Sequence, residues 1–134
     1  MPLAGYSGTP LVKKLGIKPG SRVAIVRAPD GFQSELVGLP ADVQVTMRVA
    51  ATPDLIVWFV TRRGELETKI GSIEKTMGAG LWIAWPKKAS GMKTDLVEDV
   101  VRSAGLAHGL IDYKVCAINE TWSGLKFARR KNRR

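Results

Sequence analysis

Five cations stand where three apolar segments end. Arg27 closes Arg22 to Arg27 (RVAIVR), Arg62 and Arg63 follow Leu55 to Val60 (LIVWFV), and Lys87 and Lys88 follow Leu81 to Trp85 (LWIAW). If the three segments are parallel strands, the cations share one rim, beside the starts of the helices that follow. A helix start carries roughly +0.5 charge, so cations there favour an anion between them. With Asp30 and Gly31 from the first turn and Trp85 from a strand end, the candidate ligand rim is Arg27, Asp30, Gly31, Arg62, Arg63, Trp85, Lys87 and Lys88. The competing reading is a solvated rim with ion pairs to Asp30, Glu65 or Asp95.

The other reactive side chains are isolated. Asn119, Glu120 and Trp122 form a polar turn that either packs over a hairpin or acts as a lid on the rim pocket, and Glu120 is the best-placed general acid–base group, without a partner at fixed spacing. One cysteine, Cys116, excludes an internal disulfide and a multi-thiolate metal site, and its place in a strand reads as a small buried hydrophobe. One histidine, His108, has no ligand companions, so no metal is expected. Ser7 in GYSGT follows no strand and has no base, so it is not read as a nucleophile. The turn Ala28-Pro29-Asp30-Gly31-Phe32 holds one glycine and a proline, where a G-x-G-x-x-G phosphate loop would bring backbone donors to a cofactor. No cofactor is expected.

The charge is unevenly placed. The chain has 134 residues, with 21 basic against 12 acidic side chains, a net +9. Arg129, Arg130, Lys131, Arg133 and Arg134 end it, and removing those five leaves 16 basic against 12 acidic, a net of +4. The basicity is therefore mostly that of residues 129–134, read as a tail on a 1–128 domain, and such a tail suits nucleic acid or an acidic protein or serves only solubility. The hydrophobic share of 45% is that of an ordinary globular protein. No apolar run reaches the ~18 residues of a membrane span. The N-terminal residues lack a basic region followed by an apolar stretch, which predicts a cytoplasmic protein with no membrane partner.

The elements that must position the rim follow from periodicity. Leu11 to Leu15 reads as a short helix between Pro10 and Gly16. Arg22–Arg27, Leu55–Val60 and Leu81–Trp85 are apolar on both faces, as in buried parallel strands, whereas Val43 to Val49 alternates and belongs near an edge. Phe32 to Leu36 suits a short helix. In Arg62 to Met77, Leu66, Ile70, Ile73 and Met77 form one helical stripe. Thr94 and Asp95 suit the cap of a helix ending at Gly105, and Tyr113–Ile118 with Leu125–Arg130 reads as a closing hairpin. Strands alternating with helices predict a single doubly wound, mostly parallel α/β sheet with helices on both faces and an antiparallel C-terminal hairpin. Its ligand crevice should open at the carboxyl ends of the first and third strands.

That element order resembles a shortened class I methyltransferase-like (Rossmann-like) fold without its glycine-rich loop. The stretches GYSGTPLVKKLGIKPG, VTRRGEL, Leu81 to Arg102 (with Val97 in place of a threonine) and VCAINETWSGLKFARR also resemble a family of short bacterial proteins of unknown function. The second likeness spans nearly the whole chain and implies a single-domain α/β fold, with no activity attached. The expectation is a binding module for a small anionic ligand on a degenerate methyltransferase-like scaffold. The alternatives are an accessory protein that meets nucleic acid or an acidic partner through its tail, and an enzyme of unspecified reaction.

Overall fold

The computed structural model describes residues 9–49 and 52–130. In chain order it contains α1 (Leu11–Leu15), β1 (Arg22–Val26), a 3-10 helix (Phe32–Glu35), β2 (Gln44–Thr46), β3 (Leu55–Phe59) and α2 (Arg63–Thr76). Then follow β4 (Gly80–Pro86), a second 3-10 turn (Lys88–Ser90), α3 (Glu98–Ala107), β5 (Leu110–Ala117) and β6 (Trp122–Arg129). The sheet order is β2-β1-β3-β4-β6-β5, with β2, β1, β3 and β4 parallel and β6 antiparallel to both β4 and β5. This is the expected doubly wound, mostly parallel sheet with its closing hairpin.

The apolar runs are apolar because both faces of the central strands are covered. Every residue of β3 and β4 is buried. Ile56, Trp58, Leu81, Ile83, Leu125 and Phe127 point to one face, where they pack against Leu66 and Ile70 of α2 and Val101 of α3. Leu55, Val57, Phe59, Trp82 and Ala84 point to the other, against Val12 and Leu15 of α1 and Phe32 and Leu36 around the first 3-10 helix. Each buried Val, Leu, Ile or Phe among them contributes about 1.5–3 kcal/mol by leaving water. Among the described residues the two faces are unequally dressed: α2 and α3 cover the first, while a five-residue helix and a four-residue 3-10 helix lie on the second.

Several boundaries differ from the sequence expectation. The edge strand contracts to Gln44–Thr46, because the Thr46 hydroxyl donates to the Arg48 carbonyl at 2.8 Å and turns the chain there. The hairpin strands start earlier, at Leu110 and Trp122. The last helix starts at Glu98, not at Thr94 and Asp95, which are used elsewhere. Gly105 lies inside that helix rather than ending it, and a Cβ there would stand 2.2 Å from the Phe127 ring. Its absence lets α3 sit directly on β6.

Candidate functional site

Parallel pairing puts the carboxyl ends of β1, β3 and β4 on one edge of the sheet. Arg27, Arg62 and Lys87 each follow one of those strands, and the strand order reverses between β1 and β3. β6 runs antiparallel with Trp122 opposite Pro86, so the 118–122 turn reaches the same edge. Lys87 N–H donates to the Thr121 carbonyl at 2.7 Å, tying the loop after β4 to that turn.

The cations divide into bound and unbound. Arg27 adopts a left-handed backbone conformation (φ 57°), one that costs a non-glycine residue energy and that concentrates at functional turns. Its Nε lies 2.6 Å from Oε2 of Glu65, a buried oxygen that has the charge contact but no well-angled hydrogen bond. Arg63 Nε donates to Glu67 Oε2 at 2.9 Å, one helical turn on, and Glu67 raises the guanidinium's already high pKa. The Arg63 backbone N–H donates to Asp95 Oδ1 at 2.8 Å, so Asp95 neutralises the start of α2 from a distant loop. Thr94 secures that loop, its hydroxyl donating to the Thr61 carbonyl at 2.6 Å. Arg62, Lys87 and Lys88 form no ion pair among the described residues. Asp30 is exposed and makes no capping bond, and Gly31 (φ 81°) takes the cap position of the 3-10 helix.

The aromatic rim residues are packing residues. Trp85 is 6% exposed and belongs to the core on the α2–α3 face, so it offers no ligand surface. Trp122 is 5% exposed, with its ring 5.0 Å from Phe59 in a T-shaped contact, and Phe59 meets Phe32 in the same way at 4.8 Å. Phe32 follows β1, Phe59 ends β3 and Trp122 starts β6, so this trio fills the carboxyl edge on the α1 face. Of the two readings of this turn, packing over the hairpin is the one that matches Trp122 and Asn119, both of which are buried. Asn119 Oδ1 accepts the N–H groups of Thr121 and Trp122, both at 2.9 Å, and its Nδ2 donates to Glu35 at 3.0 Å. Glu120 is exposed at the tip.

Two of the C-terminal cations, Arg129 and Arg130, are held against the domain. Arg129 is the last residue of β6, and its guanidinium pairs with the Glu74 carboxylate and donates to the carbonyls of Glu74 (2.8 Å) and Met77 (3.0 Å). It caps the C-terminus of α2 and belongs to the domain, so the expected boundary at residue 128 is corrected. Arg130 N–H donates to the Gly109 carbonyl at 2.8 Å. Lys131, Arg133 and Arg134 lie outside the described residues.

Sequence reasoning missed a second polar cluster at the opposite, amino edge. Lys126 Nζ donates to the Leu15 carbonyl at 3.2 Å and stands 5.7 Å from the Trp82 ring and 5.6 Å from the Tyr113 ring. Burial lowers its pKa, helped by Lys114 and Lys18. Cys116, beside the same cations, has its thiol pushed up by burial, against the opposing pull of Lys14, Lys114 and Lys126. Period-two alternation in Leu125–Arg130 was the available signal, since it sets Lys126 on the face opposite Leu125 and Phe127, the α1 side on which Trp82 lies.

No family model matches the sequence, and no curated protein matches it. Solved structures do match in three dimensions. A SAM-dependent methyltransferase from Aquifex aeolicus is 15% identical, with a TM-score of 0.62 covering 87% of this chain and 86% of that one. A ribosomal protein L11 methylase from Lactobacillus delbrueckii subsp. bulgaricus is 13% identical, with a TM-score of 0.60 over 90% of this chain and 75% of that one. Magnesium protoporphyrin IX methyltransferase from Synechocystis PCC 6803 with bound SAH is 12% identical, with a TM-score of 0.59 over 89% and 78%. The chain has a Rossmann-like, class I methyltransferase fold. No helix among the described residues is long and apolar enough to cross a membrane.

Proposed function

We propose that this chain is a binding module for a small anionic ligand on a methyltransferase-like scaffold, and that it does not itself transfer methyl groups. The observation that carries the reading is the state of the turn after β1. There Phe32 packs through Phe59 to Trp122, and the crossover supplies a four-residue 3-10 helix where an α-helix would present its N-terminus to a ligand. Arg62, Lys87 and Lys88 supply unpaired positive charge along the same edge, which favours an anion over a neutral ligand.

The test is calorimetric titration with citrate, together with native mass measurement of the purified protein for a co-purified acid. Replacing Arg62, Lys87 and Lys88 together by Gln should weaken citrate binding by about tenfold or more, since hydrogen bonds to charged groups contribute roughly 1.5–3 kcal/mol each. A triple variant that binds citrate as the wild type does would refute the rim as the site. The second reading, a working methyltransferase, is favoured by the likeness to structures with bound SAM and SAH. It requires the cofactor to displace the aromatic trio.

A further inference from the structure

The amino edge of the sheet, away from the rim, holds a pocket of about 220 Å³ lined by Lys18, Ser21, Asp54, Tyr113 and Lys126, with Gly16 and Gly80 in its wall. Three features show that the fold makes room for Lys126 there. First, the two glycines leave space for its side chain: a Cβ on Gly16 would stand 2.7 Å from Lys126 Nζ, and one on Gly80 would stand 3.2 Å from its Cε. Second, the β5–β6 register shifts between Asp112 and Lys114. Such a bulge sets two residues against one, and here both Tyr113, whose ring lies by the Lys126 ammonium, and Lys114, which donates to the Lys14 carbonyl at 2.9 Å, reach the α1 side. Third, Lys114 stands directly opposite Lys126 across the ladder, a like-charge pairing that destabilises a sheet.

The charges at this edge are unbalanced. Lys18, Lys114 and Lys126 form no ion pair among the described residues. An ammonium has three donors, and Lys126 uses one on Leu15 O, which already accepts the Trp82 indole N–H at 2.9 Å. Its other donors are left for a guest. The one acid in the wall, Asp54, accepts the Arg22 N–H at 2.9 Å through Oδ2, leaving Oδ1 able to accept from a guest that carries its own O–H. At roughly 30 Å³ per water, the pocket holds several waters or one tetrahedral oxyanion.

We infer that this pocket binds a phosphate group, as free hydrogen phosphate or a small phosphate monoester, between Lys126 and Lys18, with the hydroxyls of Tyr113 and Ser21 as further donors. A protonated phosphate oxygen faces Asp54, which selects against sulfate, an anion of similar shape without that proton. This site is independent of the carboxyl-edge rim and lies at the other end of the strands.

The full chain is titrated with inorganic phosphate, sulfate and chloride at matched ionic strength, with binding read by calorimetry and amide chemical shifts. Phosphate should bind saturably and shift residues 16–21, 54, 79–80 and 113, with sulfate about tenfold weaker and chloride inert. Lys126→Gln should abolish binding, and the exposed Lys18→Gln, which leaves the packing untouched, should weaken it about tenfold even if Lys126→Gln does not fold. A glycerol phosphate titration separates a monoester from the free ion, since only a site open to the bulky group binds both. Equal response to all three anions overturns the proposal, as does phosphate affinity that survives Lys18→Gln. Loss of phosphate binding in the Arg62, Lys87, Lys88 variant with none in Lys18→Gln would move the phosphate to the rim.

Discussion

Asp95 caps a helix to which it does not belong: its Oδ1 accepts the backbone N–H of Arg63 at 2.8 Å, across a sequence separation of 32 residues. The bond fixes the loop after β4 against the start of α2. It also occupies, with protein carboxylate, the positive helix end on which an anion would otherwise be expected. Asp95→Ala should cost about 1 kcal/mol, the usual loss for a helix cap. Urea denaturation checks it, and an unchanged midpoint would show that solvent replaces the carboxylate without loss.

A second prediction concerns close packing. Gly105→Ala adds a good helix former to α3, worth about 1 kcal/mol in an open helix. Because the added Cβ would lie 2.2 Å from the Phe127 ring, the variant should instead be less stable by about 1–3 kcal/mol. A raised melting temperature would mean that α3 can lift from β6 freely.

The C-terminal cations should separate into two kinds. Arg129→Ala removes the bonds to Glu74 and Met77 and should destabilise by on the order of 1 kcal/mol, reduced by its partial exposure. Deleting residues 131–134, which carry no apolar side chain, should leave stability unchanged. If duplex DNA binds through Lys131, Arg133 and Arg134, log K should fall with log salt with a slope of about −2 to −3, and the deletion should abolish binding. A truncated chain with full affinity would exclude tail-driven recognition.

Much of the fold was legible because burial on both faces leaves an unbroken apolar run, which Leu55–Phe59 and Leu81–Trp85 display without ambiguity. The rim was legible only as a location. Which of its cations are free depends on Glu65, Glu67 and Asp95, and nothing local in sequence marks Asp95 as the partner of Arg63 rather than the cap of its own helix. Trp122 was ambiguous for the same reason: a turn tryptophan packs or protrudes according to whether Phe59 and Phe32 arrive beneath it. Arg129 looked like tail because its partners are the carbonyls of α2, which carry no side-chain signature.

Burial of Cys116 has a pH consequence. Its thiol pKa is raised above the ordinary 9.0, chiefly by burial, so the native state keeps a proton that the unfolded chain releases. Cys116 therefore favours the fold fully below about pH 9, and its contribution falls as pH rises from 9.0 toward the raised value. Alkylation by iodoacetamide at pH 8 should be slower than that of a free thiol and should keep accelerating above pH 9. A rate that levels off below pH 8 would contradict the raised pKa.

With Phe32, Phe59 and Trp122 packed together at the first turn, S-adenosylmethionine should find no site, and a titration followed by melting temperature measures this. No shift is expected at saturating S-adenosylmethionine. A rise that grows with ligand as RT ln(1 + [L]/Kd) would overturn this, showing that the aromatic trio opens to admit S-adenosylmethionine.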